Sequence, residues 1–131
     1  MRPDIANAAI ELIGTPFRHQ GRSPGVGVDC VGVWVCALRS CGVEVEDCAT
    51  YRRLPDSKEL LRHMRSQFGE KRWPVVGDAV VMLAPRHREP RHLAVYIGSG
   101  MVVDVVEGKK VRRRSFLPSD VVAAFSVRGG D

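Results

Sequence analysis

The chain has 131 residues, of which 44% are hydrophobic and 27% charged, and its formal net charge is +5. This length suits one domain, and the composition is typical of a globular protein rather than of a disordered or collagen-like chain. The excess of basic residues favours an anionic partner, such as a cell-wall polymer, a nucleic acid or an acidic lipid, but says nothing about the fold. We therefore expect a single domain over residues 1–131.

The N-terminal residues contain no apolar stretch of the kind found in secretory signals, and no apolar run reaches the ~18 residues of a membrane span. We expect a protein that is made in the cytoplasm without a signal peptide or a membrane span. Its cysteines lie at positions 30, 36, 41 and 48. They form no CxxC pair, and no histidine cluster completes a zinc pattern. We expect no metal site, no cofactor and no disulfide framework.

Residues 4–13 carry apolar side chains at helical spacing. They predict a first helix with Asp4 as its N-cap and Gly14 as its stop. Residues 15–29 are rich in Gly, Pro and polar groups and show no periodicity. They predict a long loop, and loops of this length in small domains are often functional.

Residues 30–41 form an apolar run that ends before Gly42. The length of this run favours a buried helix, with Asp29 as its N-cap. Residues 56–68 predict a further helix that opens at Asp56. Its apolar stripe consists of Leu60, Leu61, Met64 and Phe68.

The pattern then changes to period two with many β-branched residues, which is typical of strands. Strands are predicted at 78–84, 91–97, 101–106, 109–114 and 121–127. The segment Gly98-Ser99-Gly100 predicts a hairpin between the second and third of them. Helices followed by an antiparallel sheet indicate the α+β class.

Cys30 has the setting of a reactive thiol. It follows the predicted cap Asp29 at the start of a buried helix, and a helix N-terminus stabilises a thiolate. The long loop before it leaves room for a substrate. A small buried hydrophobe is the ordinary role of a free cysteine, and we expect that role for Cys36, Cys41 and Cys48, which lack this setting.

His92 and Asp104 are the candidate partners of Cys30. Alternation along the predicted strand places His92 with Ala94 on one face, where the small alanine leaves space for a helix N-terminus to approach. A hairpin loop of three residues sets Ala94 opposite Asp104, so that Asp104 lies one diagonal step from His92. A carboxylate there can orient the imidazole ring and stabilise its cation. A surface histidine and an outward-facing aspartate are the alternatives.

Four segments in this order resemble the NlpC family, the papain-like cysteine endopeptidases of the bacterial cell wall: GTPFRHQG at 14–21, GVDCVG at 27–32, VGDAVV at 76–81 and HLAVYIG at 92–98. The resemblance implies N-terminal helices packed on a five- to six-stranded, mainly antiparallel sheet, with the catalytic cysteine at a helix N-terminus. It also implies that a peptidoglycan peptide is the substrate. The opening segment is most similar to the branch found in phage tails, prophages and gene-transfer particles, which implies phage tail proteins as partners.

The resemblance implies Cys30 as nucleophile, His92 as base and Asp104 as the third catalytic residue. The residues that it implies for substrate binding or the oxyanion site are Phe17, His19, Gln20, Asp29 and Val31. Three positions depart from the family pattern. The third residue is more often His, Asn or Gln, a serine commonly stands at Val31, and a tyrosine whose hydroxyl serves the oxyanion site usually stands at Phe17.

Three other functions stay open from the sequence. The first is a different thiol chemistry on the same fold, an amidase or an acyltransferase. The second is a tail-assembly or cell-wall binding module that kept the fold and lost turnover. The third is nucleic-acid binding through the basic run 109–114, KKVRRR. We disfavour it, because lysines and arginines also commonly protect the exposed edge of a sheet.

Overall fold

The computed structural model of the protein describes residues 1–47, 57–84 and 89–129. In chain order the elements are α1 (Pro3–Glu11), β1 (Arg22–Ser23), β2 (Gly27–Val28), α2 (Cys30–Ser40), α3 (Ser57–Gln67), β3 (Gly69–Lys71), β4 (Ala79–Met82), β5 (His92–Gly98), β6 (Met101–Asp104), β7 (Arg112–Ser115), a short 3₁₀ helix (Pro118–Asp120) and β8 (Val121–Ser126). Among these described helices, none is long and apolar enough to cross a membrane.

Six strands form one sheet in the order β3-β8-β4-β5-β6-β7, and every neighbouring pair is antiparallel. The short strands β1 and β2 pair with each other outside this sheet. Three helices with a six-stranded antiparallel sheet confirm the predicted α+β class. The five predicted strands are all present, with ends shifted by up to three residues.

The first helix begins earlier than the sequence predicted. Pro3 opens it, because a proline has its torsion preset for the first turn and no N–H that would need a partner. Arg2 is therefore the N-cap residue, without a side-chain capping bond, and the prediction of Asp4 as the cap was wrong. Asp4 lies in the first turn and pairs with Arg2 at 2.9 Å. Asp56, the predicted first residue of the third helix, and Cys48 both lie outside the described residues.

The second helix follows the prediction closely. Asp29 is its N-cap, and the carboxylate Oδ1 of Asp29 accepts a hydrogen bond of 2.8 Å from the Gly32 backbone N–H. Cys41 is the C-cap residue at the other end. The thiols of Cys30, Cys36 and Cys41 are free, and Cys36 is buried within the helix as expected.

The sheet has two differently filled faces. Leu93 and Val95 of β5 pack in the large core with α1, α2 and α3, where Trp34 and Phe68 meet edge to face at 5.3 Å. The predicted stripe of α3 contributes to this core, because Leu60 and Met64 are buried there. A second, smaller cluster covers the other face of the sheet. It consists of Val80, Met82, Ala94 and Val102, with Tyr96, Phe116 and Val121 packed against it.

The strand β3 at the edge of the sheet was not predicted. Its three residues, Gly69–Lys71, include no apolar side chain, because neither face of this short strand is fully buried. Among the described strands it pairs only with β8, at the edge of the sheet. Asp78 secures this corner. Its buried carboxylate accepts from the Ser126 hydroxyl at 2.8 Å and pairs with Lys71 at 2.7 Å. In the Gly-Asp pair at 77–78, Asp78 therefore has a structural role, because its side chain contacts both β3 and β8.

The hairpin between β5 and β6 is tighter than the sequence suggested. Gly98 pairs with Met101, so the loop contains two residues, Ser99 and Gly100, rather than three. Both have positive φ, 55° and 71°, as the favoured two-residue hairpin turns require. Gly98 also has a positive φ of 97°, and the register shifts by one residue between Tyr96 and Gly98.

This bulge determines where Asp104 points. If the Gly98–Met101 pairing continued without a shift, Asp104 would lie opposite Val95 and its side chain would enter the large apolar core. The bulge restores the pairing of Val95 with Val103. Continued by one residue, this register sets Ala94 opposite Asp104 and places Asp104 on the face of His92, as predicted.

We therefore expect Gly98→Ala to destabilise the protein by about 1–3 kcal/mol, because an L-residue is strained at this φ. The added Cβ would also lie 3.2 Å from Val76 Cγ2. Gly108→Ala is the matched control, since Gly108 has φ 81° and open space around its Cα. Urea unfolding of both variants measures the effect. If Gly98→Ala lowered the free energy of unfolding no more than Gly108→Ala does, the result would contradict a structural role of the bulge beyond backbone strain.

Candidate active site

Cys30 and His92 meet where their two elements begin. Cys30 is the first residue of α2 and is partly exposed, whereas His92 is the first residue of β5 and is buried. Cys30 lies close enough to His92 to raise the pKa of the imidazole. The approach differs from the prediction, because α2 packs on the Leu93 face of the sheet and not in the space beside Ala94. The two side chains reach each other at the ends of their elements.

Asp104 is the second partner of His92. Its Oδ2 lies 2.8 Å from His92 Nε2, and the carboxylate is completely buried. An ionised carboxylate only accepts hydrogen bonds, so Nε2 is the protonated nitrogen in this contact. The other ring nitrogen, Nδ1, is then the one left for the Cys30 thiol. The diagonal placement predicted from the strand alternation is confirmed.

Two arginines complete the surroundings of Asp104. Arg114 Nε donates to Oδ2 at 2.7 Å, and Arg112 Nε donates to Oδ1 at 3.2 Å. Both lie on β7, the edge strand next to β6. The sequence showed them only as members of a basic run, because alternation assigns a side chain to a face but does not identify what it meets across the sheet. Both are therefore salt-bridged to the site and are not simply solvated cations of an edge strand.

The charges in this group favour protonation of His92. Burial acts against the imidazolium, but the hydrogen bonds with Asp104 and Cys30 and the negative charges of both raise the pKa of His92 to about 9. Burial likewise acts against the Asp104 carboxylate, yet His92 and Arg114 hold the pKa of Asp104 well below its usual range. The arrangement therefore favours an imidazolium at His92, paired with the Asp104 carboxylate, at neutral pH.

Asp29 organises the start of α2 through several hydrogen bonds. Besides capping the helix, its Oδ2 accepts from the Gln20 backbone N–H at 2.9 Å, and its Oδ1 pairs with Arg22 at 2.9 Å. Gln20 has a positive φ of 57°, so this bond helps to hold a strained turn. The carboxylate is buried and already engaged on both oxygens. The structure thus gives Asp29 a role in positioning the start of α2 and the 18–22 turn.

The same turn explains Gly32, two residues after the cysteine. A Cβ at this position would lie 2.3 Å from the Gly21 carbonyl oxygen and 3.1 Å from Val28 Cβ. Only glycine therefore allows the 18–22 turn to rest on the first turn of α2. This close approach fixes the loop beside Cys30.

The remaining predicted site residues lie around this turn with different exposures. Phe17 is partly buried against the large core, and its backbone bridges to Val28 and donates to the Lys109 carbonyl at 2.9 Å. His19 lies in the 18–22 turn, directly before Gln20, and is partly exposed. Val31 has its side chain buried in the core, so only its backbone N–H can serve a substrate.

A metal centre has no counterpart in the described parts of the chain. Within residues 1–47, 57–84 and 89–129, no group of three or more His, Cys, Asp or Glu side chains is placed to hold a metal ion.

The sequence of this chain matches a known protein family. The model of the NlpC/P60 family matches residues 14–123, which is most of the chain. The chain belongs to the NlpC/P60 family. No curated protein sequence matches it. The matched range includes every candidate site residue named above.

Solved structures of NlpC/P60 proteins share the fold. The NlpC/P60 domain of the peptidoglycan hydrolase SagA superposes with a TM-score of 0.67 at 21% identity, covering 95% of this chain and 97% of that one. An NlpC/P60 family protein from Bacillus cereus gives a TM-score of 0.69 at 20% identity, over 97% of this chain but only 40% of that one. RipD from Mycobacterium tuberculosis, a non-catalytic NlpC/P60 domain protein adapted to peptidoglycan binding, gives 0.60 at 18% identity over 98% of both chains. The fold therefore occurs in both hydrolytic and non-catalytic members.

The raised pKa of His92 predicts how stability depends on pH. The folded chain holds the His92 proton more tightly than the unfolded chain, whose histidine has its ordinary pKa of 6.5. The resulting stabilisation is fully present below pH 6.5, decreases as the pH rises, and is lost above about pH 9.

We expect the difference in unfolding free energy between wild type and His92→Gln to shrink by up to about 3 kcal/mol between pH 6 and pH 9.5. Urea unfolding of the two proteins across this range measures it. A difference that stays constant over the range would contradict a raised pKa for His92.

Proposed function

We propose that the chain is a cysteine peptidase that hydrolyses amide bonds in the stem peptides of peptidoglycan. The observation that carries the proposal is one buried imidazole, His92, which bonds to the Asp104 carboxylate and lies near the Cys30 thiol. Membership of the NlpC/P60 family supports the substrate class. We take residues 1–131 as the catalytic domain.

Cys30 is the nucleophile in this proposal. Cys30 lies in the first turn of α2, where the partial positive charge of the helix N-terminus stabilises the thiolate. The thiolate sulfur attacks the amide carbonyl carbon, and the carbonyl π electrons move to oxygen to give a tetrahedral oxyanion. As the first residue of the helix, Cys30 has no helical acceptor for its own N–H, which is therefore available to that oxyanion.

His92 supplies the proton that the leaving group needs. As the tetrahedral intermediate collapses, the C–N bond breaks and the imidazolium donates its proton to the departing amine, leaving a thioester on Cys30. His92 then accepts a proton from a water molecule as that water attacks the thioester. The C–S bond breaks, the acid product leaves, and the imidazolium and the thiolate form again.

A second oxyanion donor has to come from a neighbour of Cys30. Phe17 has no hydroxyl, so the donor that the family usually has at this position is absent. The backbone N–H of Val31 and the side chains of His19 and Gln20 are the candidates for this donor. Loss of one donor from such a site costs about 10²–10³ in rate, so we expect slow turnover if none of them serves.

Digestion of purified peptidoglycan tests the proposal. Wild type should release muropeptides cut within the stem peptide, and Cys30→Ala should release none, because the thioester cannot form. Cys41→Ala is the matched control, since Cys41 is a free, partly exposed thiol at the far end of the same helix and should leave activity intact. Mass analysis of the products identifies the bond. Release by Cys30→Ala equal to that by wild type would contradict the proposal.

The products also separate the alternative functions. Cleavage between the glycan and the stem peptide would indicate an amidase, and transfer of the acyl group to an added amine would indicate an acyltransferase. If wild type releases nothing but cosediments with peptidoglycan, the chain is a non-catalytic binding module. The fold it shares with RipD makes this the second candidate function.

We extend the proposal to a place in phage tails or gene-transfer particles, where local opening of the cell wall accompanies entry. The support is the opening segment at 14–21, GTPFRHQG. Immunoblotting of particles purified after prophage induction in the source strain tests it. Detection in the particle fraction is expected, and its confinement to the cell fraction would contradict it.

A further inference from the structure

The basic run 109–114 meets the candidate active site at two points. Its first residue, Lys109, accepts a backbone hydrogen bond from Phe17, in the loop that leads to Cys30. Its arginines 112 and 114 reach Asp104, the partner of His92. The run therefore connects the loop that leads to Cys30 with the Asp104 side of His92.

Arg112 and Arg114 are held in place, but not all of their N–H donors have an acceptor in the described part of the chain. Each uses Nε for Asp104, which anchors the guanidinium plane on a buried carboxylate. Arg114 also donates through Nη1 to the Ser115 carbonyl at 3.3 Å, and the other Nη groups of the two arginines have no acceptor among the described residues. The side chains remain 42% and 25% exposed. Several N–H donors of two preorganised cations are thus accessible to a ligand.

The local charge favours an anionic ligand. Asp104 supplies one negative charge against the two arginines, which leaves an excess of one positive charge. A Cys30 thiolate and a His92 imidazolium cancel each other and do not change this balance. Guanidinium groups match the planar geometry of a carboxylate, and a peptide from the cell wall carries its negative charges as carboxylates.

We propose that Arg112 and Arg114 form a carboxylate-binding subsite beside His92, which selects acidic peptides whose free carboxylate lies near the scissile bond. The inference rests on the proposed peptidase function and adds its specificity. The two arginines then have a double role. Their Nε atoms position Asp104, and their Nη atoms bind the substrate.

Two synthetic stem peptides that differ only in free or amidated carboxylates test the subsite. We expect wild type to cleave the free acid with a kcat/KM at least about tenfold higher, which is the scale of one hydrogen bond to a charged group. Arg112→Gln and Arg114→Gln should bring this ratio close to one. Arg113→Gln is the matched control, because it removes the same charge from the exposed, opposite face of the strand and should keep the ratio.

The ratio distinguishes substrate binding from a purely positioning role. If the arginines act only through Asp104, both substrates lose activity by the same factor and the ratio does not change, which would overturn the proposal. The ratio is also independent of how much of a variant folds, since both kcat/KM values scale with the active fraction. Arg114→Lys keeps the positive charge but loses the planar pair of guanidinium donors. It should retain part of the preference for the free acid.

Two further outcomes would count against the subsite. Wild type that cleaves both peptides equally would overturn the subsite and leave the peptidase function standing. Wild type that cleaves neither, while peptidoglycan is also left intact, would overturn both. A DNA duplex serves as a further probe, and binding that Arg112→Gln abolishes would assign the cations to phosphate instead of carboxylate.

Discussion

A single buried carboxylate, Asp104, is the interaction on which the candidate site depends. It is fully buried and contacts three cationic or proton-donating groups, His92, Arg112 and Arg114. A buried charge is tolerated only when such partners satisfy it, and removing one partner of a buried pair is strongly destabilising. Asp104 therefore orders both the imidazole on one side and the edge strand on the other.

Backbone geometry brings these groups together. The bulge at Gly98 shifts the register of β5 and β6 by one residue and keeps the Asp104 side chain out of the apolar core. The Asp29 cap and the close packing of the 18–22 turn on Gly32 set the position of Cys30 in the same way. Cys30 and His92 each lie at the start of a regular element. A positive-φ turn supports the position of Cys30, and the bulge at Gly98 sets the position of Asp104.

Local patterns predicted much of this arrangement. The apolar run after Asp29 indicated the buried helix and its cap, and strand alternation put His92 and Asp104 on one face. The loop length was wrong by one residue, yet the face was right, because the bulge at Gly98 takes the place of the third loop residue. The register of β5 and β6 beyond the bulge is therefore the predicted one, and this register decides which face Asp104 is on.

Contacts between distant elements were not predictable in this way. Nothing local to the run KKVRRR indicates that Arg112 and Arg114 end on Asp104, since that depends on which strand lies next to β6. The choice of sheet face by α2 was also wrong, because periodicity identifies the apolar side of a strand but not how a helix end reaches around it. The sequence also did not indicate that three groups of the chain itself donate to the Asp29 carboxylate.

The protonation of His92 tests the central claim most directly. NMR titration of the imidazole resonances in wild type and in Asp104→Asn reports it, with the ring signals of His92 assigned by comparison with His92→Gln. The account predicts a wild-type midpoint near pH 9, and a clearly lower midpoint in Asp104→Asn, because the variant loses the negative charge that favours the imidazolium. A midpoint near 6.5 in both proteins would contradict the account.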